Sequence, residues 1–172
     1  LNRFSANSKF SDLELKMEGT FKGKINKLKG KRISLQLANN TNFIGDISLN
    51  GLPELAQTFI DLDVKQLNSS REDIQTLILP ALGVANVNIP LNLNALGNFN
   101  FSGNFTGFTN DFVAYGELSS PIGKLITDLK FKEIPGDKRY SYSGELTSKK
   151  FDLAQLYNSK NLGVISSTIS VK

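Results

Sequence analysis

The chain has 172 residues, 40% apolar and 21% charged, a balance that excludes disorder and supports one domain with a sizeable core. It contains no histidine, cysteine or tryptophan, which removes the usual ligands for zinc, iron and copper, the thiol nucleophiles and the commonest general base near neutral pH. The net charge of +4 comes from 20 basic and 16 acidic residues, and no apolar run is long enough to cross a bilayer as a helix.

Leu13, Leu15, Met17, Gly19, Phe21, Gly23 and Ile25 fall on odd numbers, with Asp12, Glu14, Lys16, Glu18, Thr20, Lys22 and Lys24 between them. This is the two-residue period of a strand with one apolar and one polar face. At about 3.3 Å per residue the run would reach roughly 43 Å, longer than ordinary strands, so Gly19 and Gly23 are expected to mark bulges or bends. Lys29-Gly30-Lys31 reads as the next turn, and Ile33, Leu35 and Leu37 as the strand after it. Asn39 to Asn42 turns the chain again. Phe43, Gly45, Ile47 and Leu49 make a third strand, closed by Asn50-Gly51-Leu52-Pro53. After a short connection at Glu54 to Gln57, Ile60, Leu62 and Val64 alternate with Asp61, Asp63 and Lys65 until Asn68-Ser69-Ser70, which reads as the end of the run.

Ser70 is placed to cap a short helix, Ser70 to Leu79, whose first turn is acidic through Glu72 and Asp73; Pro80 and Gly83 stop it. Ile89, Leu91 and Leu93 return to strand spacing, with Pro90 marking an edge. From Leu96 to Phe131 three strands follow. Phe99, Phe101, Gly103, Phe105 and Gly107 form the apolar phase of the first, and Thr109-Asn110-Asp111 turns into Phe112 to Ser119. Ser120 to Gly123 turns again, into Leu125, Thr127, Leu129 and Phe131. Pro135 to Lys138 joins this strand to Tyr140, Tyr142, Gly144 and Leu146 as a hairpin. Phe151 to Tyr157 is one helical turn or a loop with Phe151, Leu153 and Leu156 inward, and a last strand begins near Val164. The expected fold is all-β: an elongated, curved antiparallel sheet with one short helix, residues 1–172 forming a single segment. Gly19-Thr20-Phe21-Lys22-Gly23 and Gly103-Asn104-Phe105-Thr106-Gly107 repeat loosely, which favours an array of hairpins.

Lys22, Lys24, Lys27, Lys29, Lys31 and Arg32 form the clearest basic cluster. Nucleic acid is one reading, but aromatic residues are not interleaved with it, and a solvated strand edge guarded by lysines is the plainer one. Asp61 and Asp63 share a strand face, yet no third acidic ligand lies nearby, so no metal site is expected. Tyr140 and Tyr142 suit a sugar or headgroup, or simple packing. No constellation supports catalysis or a cofactor. The phenylalanine row is core in a closed sandwich and a channel lining in an open sheet, and periodicity does not separate the two. Leu13, Leu15, Met17, Phe21, Phe99, Phe101, Phe105, Leu129, Phe131 and Tyr142 are all on the apolar phase of their strands, and are expected to share one inward surface.

The run FSGNFTGFTNDFVAYGELSSPIG from Phe101 and the run YSGELTSKKFDLAQLYNSKNLGVIS from Tyr142 resemble the Bacteroidetes branch of the TamB family. TamB is the inner-membrane subunit of the translocation and assembly module and is related to AsmA-like proteins. The likeness extends from about Gly45 to Ile165 and rests on Phe105-Thr106-Gly107-Phe108, Asn110 to Gly116 and Phe151-Asp152-Leu153; residues 1–44 share the style only. The resemblance implies a β-taco, a sheet folded into a trough with apolar side chains inside, within the periplasmic body of a longer, inner-membrane-anchored protein. A start at Leu1 and an alternating final run, Ile165 to Val171, fit such a segment. It further implies outer-membrane biogenesis, as phospholipid transport or as assembly and secretion of outer-membrane proteins, with a BamA/TamA-like outer-membrane β-barrel as partner. It implies no catalytic residues. The alternative is a β-rich structural or adhesin-like interaction module with no conduit.

Overall fold

Two-residue periodicity repeated along the chain can be satisfied by one wide sheet, and that is what the computed structural model shows for the residues it describes, 15–37, 40–78, 93–134 and 139–171. Nine antiparallel strands lie side by side in strict chain order. They are β1 (Leu15–Lys24), β2 (Lys27–Leu37), β3 (Thr41–Asn50), β4 (Phe59–Ser70), β5 (Asn98–Phe108), β6 (Asp111–Ser120), β7 (Gly123–Ile134), β8 (Arg139–Asp152) and β9 (Val164–Val171). Among the described residues each strand pairs only with its chain neighbours and the sheet does not close. At about 4.8 Å per strand the eight steps from β1 to β9 span roughly 38 Å.

Two details differ from the sequence reading, and they share one cause. The first hairpin turns at Ile25–Asn26, whereas Lys29-Gly30-Lys31 lies inside β2. The pairing register shifts between Gly30 and Ile33, with Arg32 at φ 53°. Likewise β4 does not end at Asn68; it runs through Ser70, paired to Asn98, after a shift between Val64 and Leu67. Both are β-bulges, which insert a residue and move the apolar phase from even to odd positions or back. In a sequence, such a phase change looks like a strand end.

A bulge frees backbone groups that the ladder would otherwise pair, and each of two left-handed bulge residues has found a substitute. Arg32 donates its N–H to Asp46 Oδ1 at 2.7 Å. Lys150, at φ 48° in the β8 bulge, donates to Ser166 Oγ at 2.9 Å. Bulges in β2, opposite Gly19 of β1, and in β4 fall near mid-strand, in line with Gly103 and Gly116, which face each other on β5 and β6. Bulges and glycines bend strands, so this row is the natural crease of the curved sheet.

The expected helix begins where its cap was read. Ser70 Oγ accepts the N–H of Asp73 at 3.2 Å, opening α1 (Arg71–Asp73), which passes into a π-helical turn, Ile74–Ile78. The stop at Pro80 and Gly83 and most of the run around Ile89 and Leu91 lie outside the described residues, and Leu93 opens a 3-10 turn, Leu93–Leu96. Between β8 and β9 the chain forms α2 (Leu153–Tyr157), capped by Asp152, whose carboxylate accepts from Gln155 N–H at 3.1 Å. The compact core is small: Ile122, Phe151 and Leu156, with Ala95, Leu96, Leu125, Leu153 and Ile165 packed on them.

Gly103 has φ +154°, and a Cβ there would lie 2.1 Å from the carbonyl oxygen of Tyr115. The obstacle is backbone and cannot rotate away. Gly103→Ala is therefore expected to destabilise the protein by about 1–3 kcal/mol in chemical denaturation, more than Gly116→Ala, which has no positive φ and whose Cβ would meet the movable ring of Phe101 at 2.6 Å and the Ser102 carbonyl oxygen at 2.7 Å.

Candidate functional site

In an antiparallel sheet, residues directly opposite one another project from the same face. Following the register from Met17 gives Leu35, Phe43, Leu67, Phe101, Leu118 and Leu125 in one unbroken row. A second row runs from Ile47 through Leu62, Phe105, Ala114 and Leu129 to Gly144. One face of the sheet is thus apolar from β1 to β8. The opposite face carries the polar phase and the ion pairs Lys31–Asp46 at 2.8 Å, Lys65–Asp63 at 2.7 Å, Lys124–Glu117 at 2.6 Å and Lys132–Asp111 at 3.2 Å.

The two ends of the strands differ in cover. At the end bearing α1 and α2, Phe99, Ile122, Phe151 and Leu156 are buried. Thr41, Ser69 and Asp73 form a buried hydroxyl and carboxylate network there, with Thr41 Oγ1 donating to Asp73 Oδ2 at 2.7 Å. At the opposite end, which bears the Ile25–Asn26 and Thr109–Asn110 turns, the apolar face is open. There Phe105, Phe112 and Phe131 follow one another with ring centroids 4.8 and 4.9 Å apart, and Phe131 stacks on Tyr140 and meets Tyr142 edge-on. Such aromatic contacts each contribute about 0.5–1.5 kcal/mol beyond area burial. Beside α2 a cavity of about 160 Å³ opens among Leu125, Leu146, Phe151, Leu156, Ile165 and Ile169.

Of the ten residues expected to share the inward surface, Leu13 lies outside the described residues. Leu15, Met17 and Phe21 project from β1 and are exposed, at 55%, 53% and 40%. Phe101, Phe105, Leu129 and Phe131 are half-buried, and Tyr142 is 46% exposed. Phe99 is on the same face but only 5% exposed, so it belongs to the covered end and offers nothing to a ligand. Phe112 was missing from the set although it joins Phe105 to Phe131. The signal for it was the two-residue turn at Thr109–Asn110, which pairs Gly107 with Phe112 and moves the apolar phase from odd to even numbers.

The carboxylates of the polar face serve the fold. Asp61 and Asp63 accept from Thr106 Oγ1 and Asn104 Nδ2 on β5, and the described residues hold no group of three or more side chains able to bind a metal. Asp46 is held below the usual carboxylate range by its hydrogen bond from Lys31 and by the N–H of Arg32; the same contact raises Lys31. Lys124 lowers Glu117, and the backbone N–H of Gln155 lowers Asp152. No protein-family model, no curated protein and no solved structure matches this chain.

Because Asp46, Glu117 and Asp152 are depressed on folding, their contributions are present above about pH 4 and lost as the pH falls through their folded values. Asp46→Asn removes the carboxylate that holds the β2 bulge. The variant is expected to melt below the parent at pH 7, and the gap should narrow when both are measured at pH 3.

Proposed function

We propose that this chain is a wall of an apolar conduit, a β-taco segment of a TamB-like envelope protein that shelters acyl chains in transit through the periplasm. The observation that carries the reading is the apolar face under a single layer of strands, whose large side chains, apart from the buried Ile33, Val64 and Phe99, are half-buried in the middle strands and exposed toward the sheet edges. Contiguous exposed apolar surface of this kind marks a binding surface. An acyl chain of sixteen carbons needs shelter worth on the order of 13 kcal/mol at ~0.8 kcal/mol per methylene. The row from Met17 to Leu125, roughly 29 Å long over its six strand steps, offers it without requiring any polar group to be desolvated. Localisation between the membranes and pairing with a BamA/TamA-like barrel belong to the same proposal and rest on the sequence resemblance.

The face suits lipid better than an unfolded outer-membrane strand, because a strand pairs through its backbone with a sheet edge and makes little demand on a wide apolar surface. The sheet has two such edges, β1 and β9, and a protein client would be found there.

Phe131→Glu tests the conduit. In an open groove the carboxylate reaches water, so the midpoint of unfolding should fall by far less than the several kcal/mol a charge costs in a sealed core, while crosslinking to a phospholipid with a photoreactive acyl chain should drop severalfold. Thr106→Glu, on the polar face, should leave crosslinking unchanged. Unfolding of Phe131→Glu, or undiminished crosslinking, overturns the conduit and returns the chain to a structural or adhesin-like module.

A further inference from the structure

The β1–β2 hairpin presents a second surface, on the face opposite the groove. Its register sets Lys22 opposite Lys29 and Lys24 opposite Lys27, and like charges directly opposite one another destabilise a ladder. All four lysines are exposed. None makes an ion pair with another described residue. β3 meets them with uncharged neighbours, Ser48 beside Lys29 and Asn50 beside Lys27. Asp46 is engaged by Lys31, and Asp61 lies one strand further along the row, opposite Ser48; of the four hairpin lysines only Lys29 borders the small cleft that Lys31, Asp46, Asp61 and Asp63 also line.

At the apex Ile25 is 71% exposed, the highest value among the exposed large apolar side chains of the described residues. The turn is anchored, since the carbonyl of Asn26 accepts the N–H of Gly51 at 2.9 Å. A projecting isoleucine flanked by four exposed ammonium groups with no ion-pair partner among the described residues has the chemistry of a lipid interface: lysines meet headgroup phosphates while the apolar tip enters the boundary with the acyl region. Nucleic acid fits less well. Phe21 points to the other face, over Gly30, and the nearest ring in the lysine row, Phe59, stands two strands from Lys27, beyond Asn50, with its ring edge-packed on Phe108, so no ring is interleaved among the lysines for a base to stack on.

We propose that the hairpin from Lys22 to Lys29 is a docking element for an anionic phospholipid surface. It does not depend on the conduit, because it uses the opposite side of β1 and β2. The test is co-sedimentation of the chain with phosphatidylcholine vesicles with and without phosphatidylglycerol. Binding should require phosphatidylglycerol and weaken as salt is raised. At about 1 kcal/mol per lysine near an anionic surface, the double substitution Lys24→Gln/Lys27→Gln should lower the partition coefficient about 30-fold, and Lys22→Gln/Lys29→Gln by a similar factor. Ile25→Ser should lower it severalfold while leaving the salt dependence as it was. Lys130→Gln/Lys160→Gln, elsewhere on the chain, should have no such effect. Equal binding to both vesicle types, unchanged binding by both hairpin variants, or tighter salt-sensitive binding to a single-stranded oligonucleotide than to vesicles would overturn the proposal.

Discussion

The structure depends on one constraint: eight consecutive antiparallel ladders must keep the apolar phase of nine strands on the same side. A slip of one residue in any ladder turns that strand's apolar row to the solvent face. The sequence does not hold a single phase along each strand. Leu28 and Leu35 both face the groove in β2, as do Val64 and Leu67 in β4, although each pair is separated by an odd number of positions. The bulges reconcile them. The β2 bulge is held by Asp46 on the Arg32 N–H, as a further bulge in β8 is by Ser166 on the Lys150 N–H, so polar side chains as well as hydrophobic pattern set the pairing.

A single sheet buries little, and this one is consistent with that. The enclosed apolar cluster is confined to the end of the strands under α2 and the Leu93–Leu96 turn. Elsewhere cohesion comes from ladder hydrogen bonds and from cross-strand side-chain pairs, of which the Phe105, Phe112 and Phe131 stack is the longest. The glycines at positions 30 and 116 extend this economy. Rings of Phe21 and Phe101 lie over them where a Cβ would clash, so aromatic surface is packed against backbone and leaves the outer side of each ring toward the open face.

The two faces therefore carry different chemistry on the same strands. One is predominantly apolar and unfilled; the other mixes ion pairs and hydroxyl ladders such as Thr147 with Thr168 with separate exposed apolar side chains, Ile44, Val113 and Tyr115 among them, and at the β1–β2 tip its lysines have no carboxylate partner among the described residues. Paired charges on a sheet surface contribute little each. Their consistent placement matters more for keeping that side wet, which leaves the apolar face as the surface with an unmet need for contact.

The all-β class, most strand positions, the Ser70 cap and the polar or apolar side of many strand residues outside β6 were legible in the sequence, because a two-residue period is a local property of the pleat. Three things were not. The bulges at Lys31–Arg32 and Lys65–Gln66 changed the phase, and local periodicity registers that as a turn at Lys29-Gly30-Lys31 or an end at Asn68. The burial of Phe99 beside the exposure of Phe21 and Tyr142 depended on which end of the sheet the α1 and α2 connections cover, a matter of chain segments far apart in number. Whether the phenylalanine row was core or surface depended on the absence of a second sheet among the described residues, and alternation along a strand carries no information about what stands opposite its face.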